Sequence, residues 1–312
     1  MQIGIDFGGT KIEAAALDGN GTIVTRIRRA NPGNYDDAVR AVRDLVRMIE
    51  TTAGRRGTVG VGTPGSVSPT TGVMRNSNSL YLNGQRFRED LSEALMREVR
   101  LANDANCFAL SEAVDGAGAG SAVVFGAILG TGCGGGLVVG GKLIAGANGI
   151  GGEWGHNPLP WPSVQENPGP SCYCGQHGCL EQWISGSGLQ RDYLSHARQP
   201  MNAVDIIAQA RAGNDKAENA FDRFVSRLAR ALATICNVVD PDVIVVGGGL
   251  SNVAEIYERL PGIIRAHVFS DAWSARIVPA QWGDSSGVRG AARLWSLEEA
   301  LARKDTAFVN PK

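Results

Sequence analysis

Three cysteines, Cys172, Cys174 and Cys179, fall within eight residues. A disulfide between Cys172 and Cys174 would close a strained ring and leave one thiol over. Three thiolates at this spacing suit zinc, which takes four Cys or His ligands at tetrahedral angles. Two histidines could complete the set: His156, sixteen residues before Cys172, and His177, inside the loop. Four protein ligands close the metal's shell, so the ion expected here is structural, not catalytic. Cys107, Cys133 and Cys236 are scattered and read as buried apolar residues.

A second kind of chemistry is written in glycine. The chain has 42 glycines in 312 residues, about twice the usual share. Asp6 ends an apolar stretch and is followed by Gly8-Gly9-Thr10-Lys11. Glycine lets such a turn come close to a phosphate chain and donate backbone N–H groups to it. Asp6 is placed to hold magnesium through its waters, because magnesium keeps much of its hydration shell. Gly130-Thr131-Gly132 offers the same device again, and Gly247-Gly248-Gly249 follows a buried strand where a flat adenosine could enter. Two nucleotide patterns in this region are decoys. Gly130 to Gly135 matches G-x-G-x-x-G, but Leu137-Val138-Val139 continues it as a strand where the dinucleotide fold needs a helix. Gly136 to Lys142 matches G-x-x-x-x-G-K, but Leu143 stands where Ser or Thr must meet magnesium.

Asp104 is the candidate general base. It lies just past the apolar strand Val99 to Ala102, where parallel sheets present their ligands. An Asp suffices for phosphoryl transfer, since it accepts a hydrogen bond and takes the proton late. The competing reading makes Asn103-Asp104 a cap for the helix that follows. Likewise Glu181 reads either as a ligand-binding group or as an exposed carboxylate opening a helix.

These residues need elements to carry them. Ile3 to Ile5, Ile12 to Leu17 and Ile23 to Ile27 predict an antiparallel meander. Helices are predicted over 35–51, 88–97, 105–115, 215–238 and 253–267, and from Gly290 onward. In the longest, Ala217, Phe221, Phe224, Leu228, Leu232 and Ile235 form one apolar stripe. Strands are expected at Val59 to Val61, Val123 to Leu129, Leu137 to Val139, Lys142 to Ile144, Asp242 to Val246 and 276–280. Residues 117–121 form a hinge, and the strand–turn–strand plan of the start repeats after it. The expected division is a small α/β lobe over 1–118, with the last helix packing back on it. A larger α/β lobe over 119–302 carries the metal loop 156–181, and 303–312 is a frayed tail.

Asp6-Phe7-Gly8-Gly9-Thr10-Lys11, Asn103-Asp104-Ala105-Asn106, Glu153-Trp154-Gly155-His156 and the Cys172 to Glu181 stretch together resemble the ROK family (repressors, open reading frames and kinases). The resemblance runs from Gln2 to about Leu294. It implies an α/β, two-lobed actin-like ATPase (ribonuclease H-like) fold with the active site in the interlobe cleft, and an ATP-dependent sugar kinase using Mg2+. His156 becomes the fourth zinc ligand and also joins the sugar-binding set. Asn103, Glu153 and Glu181 are assigned to sugar contact, where planar polar groups pair with adjacent hydroxyls. Gly65 and Asn78 are further candidates for that contact. Leu82 to Gln85, Gly155 to Trp161 and Gly283 to Gly290 are most similar to bacterial fructokinases of the manno(fructo)kinase type. Fructose, phosphorylated at its 6-hydroxyl, is therefore the first expectation, with glucose, mannose or an N-acetylhexosamine as the alternative acceptor. Pocket shape must decide among sugars that differ by one group. A homodimer is expected from the same resemblance.

The bulk composition agrees. Formal net charge is −1, with 43% hydrophobic and 20% charged residues. No basic excess points to nucleic acid or an anionic membrane. The start, MQIGIDFGG, lacks the regions of a signal peptide, and no apolar run reaches a membrane span of about 18 residues. A cytoplasmic enzyme is expected. A sugar-responsive repressor would need a DNA-binding domain ahead of the first strand, and a non-catalytic sugar binder would lack Asp6 or Asp104.

Overall fold

The computed structural model describes residues 1–303; the tail expected beyond Arg303 lies outside them. The chain opens with β1 (Gln2–Phe7), β2 (Lys11–Leu17) and β3 (Ile23–Ala30), then α1 (Tyr35–Ala53). It continues through β4 (Thr58–Thr63), the short hairpin β5 (Ser66–Val67) and β6 (Met74–Arg75), α2 (Phe87–Leu95), β7 (Val99–Asn103) and α3 (Asp104–Asp115). Next come β8 (Val123–Leu129), β9 (Cys133–Val139) and β10 (Lys142–Leu143). A long loop leads to α4 (Glu181–Ile184), α5 (Gly186–Ala197), α6 (Ala203–Arg211) and α7 (Asp215–Val239). The chain closes with β11 (Val243–Gly247), α8 (Ala254–Arg265), β12 (Arg276–Pro279), α9 (Ser286–Arg293) and α10 (Leu297–Ala302). Among the described residues no helix is long and apolar enough to cross a membrane.

The chain divides into two compact units. The first takes Met1–Gly120, Gly136–Gly151 and the chain from Trp282 on; the second takes Ser121–Gly135 and Gly152–Gln281. This differs from a single break at 118/119. Residues 136–151 belong with the first unit because β9 runs onto α3: a Cβ at Gly136 would stand 2.7 Å from that of Ala109.

In the first unit the sheet order is β3-β2-β1-β4-β7. β1 runs antiparallel to β2 and parallel to β4, and β4 runs parallel to β7. Register pairs Asp6 with Gly62 and Thr63 with Asn103, so Asp6 and Asn103 finish at the carboxyl ends of parallel strands. That is the edge where open α/β sheets place their ligands. Ile3, Ile5, Phe7, Leu45, Ile49 and Phe87 are fully buried against one another, and Phe7 meets Phe87 edge-on at 5.2 Å.

Helix α9 begins at Ser286, not at Gly290. Its glycines lower helix propensity, which hides it in the sequence. Tertiary packing requires a glycine here: a Cβ at Gly290 would stand 1.7 Å from the Cys107 carbonyl oxygen of α3. The sheet yields in the same way, since a Cβ at Gly4 would stand 1.9 Å from the Val288 carbonyl oxygen.

The second sheet has the order β10-β9-β8-β11-β12, with β11 parallel to both β8 and β12. In α7 the predicted stripe is buried at Ala217, Phe221, Phe224, Leu228 and Leu232, while Ile235 is only half-buried. Helices α5 and α6 fall in a stretch for which the apolar pattern named no element. Their signals are the caps Ser185 and Asn202, whose side chains accept from the Gly188 and Asp205 N–H groups.

Candidate active site

In the first unit, Asn103 is the N-cap of α3. Its Oδ1 accepts the Ala105 N–H at 2.8 Å, as does Asp104 Oδ1, also at 2.8 Å. The capping reading is therefore real, and it coexists with a second contact. Asn103 Nδ2 donates to the Gly65 carbonyl at 3.3 Å. Gly65 itself has φ +80°, and a Cβ there would stand 2.4 Å from the Arg75 carbonyl oxygen. So β4, the β5–β6 hairpin and the start of α3 are pinned together at Gly65. Asn83 holds the next loop by bonding both the N–H and the carbonyl of Ser77, at 2.9 Å each. Asn78 is exposed at the tip of this loop.

Asp104 is exposed, while Asp6 is half-buried. Burial raises the Asp6 carboxyl to about 6, with the charges of Asp104 and Glu13 adding to it and Lys11 and Arg28 opposing. A carboxylate buried beside two others favours a cation, so the residues present fit magnesium held at Asp6. The structure adds Gly287 of α9 as a wall of this site: a Cβ there would stand 3.1 Å from the Asp6 carboxylate. No local pattern marks Gly287, because its role follows from where α9 packs.

The first glycine turn differs in detail from expectation. The Gly8 N–H is committed to the Lys11 carbonyl at 3.0 Å, and the Asn31 side chain caps the Gly8 carbonyl at 2.7 Å. Gly9, Thr10 and Lys11 are the exposed members that can meet a ligand. The second turn repeats this, with the Gly130 N–H committed to the Gly132 carbonyl at 3.0 Å. Gly8 and Gly130 therefore shape their turns and do not donate outward.

In the second unit three predicted segments converge on that turn. The Cys133 N–H donates to Glu181 Oε2 at 3.1 Å, and a Cβ at Gly132 would stand 2.6 Å from the same oxygen. Trp154 is buried, donates from Nε1 to the Gly134 carbonyl at 2.8 Å, and meets Phe125 edge-on at 5.4 Å. This anchors the 3-10 turn Trp154–His156, leaving Glu153 exposed at its start. Cys133 is half-buried, not fully buried as expected; Cys107 and Cys236 are buried.

A cavity of about 620 Å³ opens beside Thr131 and is walled by Gly186, Ala203, Ile207, Gly249 and Leu250. It has the size of a small-molecule site with a largely apolar lining. Of the third glycine group, Gly249 lines this cavity. Gly247 is buried as the last residue of β11, and Gly248 makes the turn at φ +80°, where a Cβ would meet the Leu129 carbonyl oxygen at 2.5 Å.

The ligand atoms of His156, Cys172, Cys174 and Cys179 lie within 4.8 Å of one another. Cys172 Sγ is 3.6 Å from His156 Nδ1, and Cys174 Sγ is 3.6 Å from Cys179 Sγ. Such separations suit one four-coordinate ion with bonds of about 2.0–2.3 Å. His177 is outside the group and faces the Gly169 carbonyl at 3.4 Å. His156 Nε2 meets Tyr173 Oη at 2.9 Å, so neither ring nitrogen remains for a sugar. Tyr173 fixes the ring as outer partners of metal-bound histidines do. Its lone position between two cysteines gave no sign of this.

The ROK family sequence profile matches residues 2–298. The N-acetyl-D-glucosamine kinase of Pectobacterium atrosepticum is 42% identical over 299 residues, covering 94% of this chain and 98% of its own. The crystal structure of the ROK hexokinase from Thermus thermophilus superposes with a TM-score of 0.83 at 33% identity, covering 93% and 96% of the two chains. A ROK glucokinase from Streptomyces griseus, in complex with glucose and AMPPNP, superposes with a TM-score of 0.74 at 29% identity, covering 94% and 98%. Profile, full-length similarity and fold agree, and the chain belongs to the ROK family.

Proposed function

We propose that this protein transfers the terminal phosphate of ATP to a hexose, and that the acceptor is N-acetyl-D-glucosamine. The chemistry is supported by Asp6 and Asp104 standing together at the carboxyl edge of one sheet. Asp104 accepts the proton of the attacking hydroxyl, and Asn103 and Gly65 orient the sugar beside it. Magnesium at Asp6 supplies charge neutralisation to the phosphates. In the first unit Gly9, Thr10 and Lys11 offer contacts to phosphate; in the second, Thr131 and Gly132 offer the same and the cavity beside Gly249 has room for adenosine. Glu153 and Glu181 are the sugar-contact candidates of the second unit, and the Cys133 N–H ties Glu181 to the second turn.

The choice of acceptor is carried by one observation, the 42% identity over nearly the whole chain to an enzyme named for N-acetyl-D-glucosamine. The first expectation, fructose, yields to the alternative on this ground. Zinc held by His156, Cys172, Cys174 and Cys179 pins the loop that leads into Glu181, and the four atoms fit it. A coupled ADP-release assay over a hexose panel tests the acceptor. N-acetyl-D-glucosamine should exceed fructose in kcat/KM by tenfold or more; a preference for fructose would overturn the assignment.

A further inference from the structure

A further cavity of about 890 Å³ lies between the Trp161 to Pro170 segment and helices α5 and α7. Four guanidinium groups line it, those of Arg191, Arg223, Arg227 and Arg230, against two carboxylates, Glu166 and Asp192. Both carboxylates are ionised at neutral pH. Burial alone would raise Glu166, but hydrogen bonds from Arg230 and Arg227 bring it to about 2. Burial likewise opposes Asp192, and the bonds from Arg223 and Arg227 lower it. The lining side chains therefore carry four positive charges against two negative ones.

Three of the arginines already satisfy the carboxylates. Arg223 and Arg227 reach Asp192 at 2.6 and 2.7 Å, and Arg227 and Arg230 reach Glu166 at 2.8 and 2.9 Å. A purely structural network would be complete with these. Arg191 is surplus to it: half-buried, it forms no ion pair among the described residues and donates only to the Gln182 carbonyl. Burial dominates at Arg191 and lowers its pKa, with the charges of Cys172 and Glu181 opposing only in part; a half-buried cation so incompletely compensated at the wall of a cavity invites an anion.

We propose that this cavity binds a phosphate monoester dianion, with Arg191 as its principal contact. A phosphate carries about −1.5 to −2 at neutral pH, which matches the charge excess. The volume is large enough for a phosphorylated hexose, and Trp161, half-exposed on the rim, offers a flat apolar face to a sugar ring. Glu166 sits between His156 and Cys172, so an occupant that grips this segment acts on the loop holding the metal ligands. The site goes beyond the transfer reaction and is independent of it.

The test needs neither ATP nor turnover. Inorganic phosphate and N-acetyl-D-glucosamine 6-phosphate are titrated calorimetrically into the full chain, and amide exchange of residues 163–170 is followed by mass spectrometry. Binding with slowed exchange in this segment is expected, weakened about tenfold to a hundredfold in Arg191→Gln and partly restored in Arg191→Lys. Equal affinity for both probes identifies free phosphate as the ligand; tighter binding of the sugar phosphate identifies the phosphorylated hexose. Binding that is unchanged in Arg191→Gln, or absent for both probes, would overturn the proposal.

Discussion

Asp104→Asn separates chemistry from structure, because the local geometry protects the fold. Asp104 Oδ1 caps the Ala105 N–H at 2.8 Å, but Asn103 Oδ1 caps the same N–H at 2.8 Å. An Asn at 104 keeps an acceptor oxygen in place, and Asn103 remains as a second cap. The structural loss is then below a full cap deletion, about 1 kcal/mol at most. In a chain of this size that lowers Tm by roughly 2 °C. The amide cannot take a proton at all. Removal of a positioned base costs about 10²- to 10⁴-fold in rate, or roughly 2.7–5.4 kcal/mol of barrier. The two effects differ enough to be told apart. A coupled ADP-release assay reads kcat, differential scanning calorimetry reads Tm, and calorimetric titration reads sugar affinity. The expected result is a collapse of kcat with Tm and sugar Kd nearly unchanged. Retention of more than a tenth of wild-type kcat would refute Asp104 as the base. A fall in Tm of 6 °C or more would show that its capping role had been underestimated.

The metal loop predicts one zinc per chain by mass spectrometry of the purified protein, and Cys174→Ser should lose the ion and raise the sugar KM several-fold. A metal-free protein with full activity would remove the zinc assignment. The Asp6 carboxyl, raised to about 6 chiefly by burial, is ionised above that pH and protonated below it. kcat/KM should therefore fall as pH drops below about 6, and excess magnesium should move that limb to lower pH; a flat profile between pH 5 and 7 counts against Asp6 as the metal carboxylate. Glu166, held at about 2 against an ordinary 4.5 despite its burial by Arg230 and Arg227, behaves in the opposite sense. Its stabilisation is fully present above about pH 4.5 and is lost as pH falls toward 2. Acid unfolding of Glu166→Gln should be less steep over that range than that of the wild type, and identical curves would show that the ion pairs contribute nothing.

Much of the candidate site was legible because it is local. The C-x-C-x4-C spacing brings three thiols within reach of one ion whatever the rest of the chain does. Asn103-Asp104 sits where an apolar strand must stop, and the glycine turns follow apolar strands that can only end in tight loops. The stripes of α1 and α7 follow from helical periodicity, which needs no partner to be read. Those features, with the resemblance they carry, pointed to the family and named the candidates for the base and the metal set.

Tertiary structure decided what depends on register and approach. Thr63 pairs with Asn103 only because β4 lies beside β7, and that pairing brings Gly65 to Asn103. Glu181 meets the second glycine turn across some fifty residues, and Tyr173 meets His156 only once the loop has closed. Which turn amides are spent inside the hairpin, and which face outward, is settled by single hydrogen bonds at Gly8 and Gly130. Helix α9 was obscured because its glycines argue against a helix locally, while the backbone of α3 leaves room for nothing larger than glycine at position 290. Short-range pattern records what a segment can be; the distance between backbones, visible only after packing, records why these residues and not their neighbours carry the site.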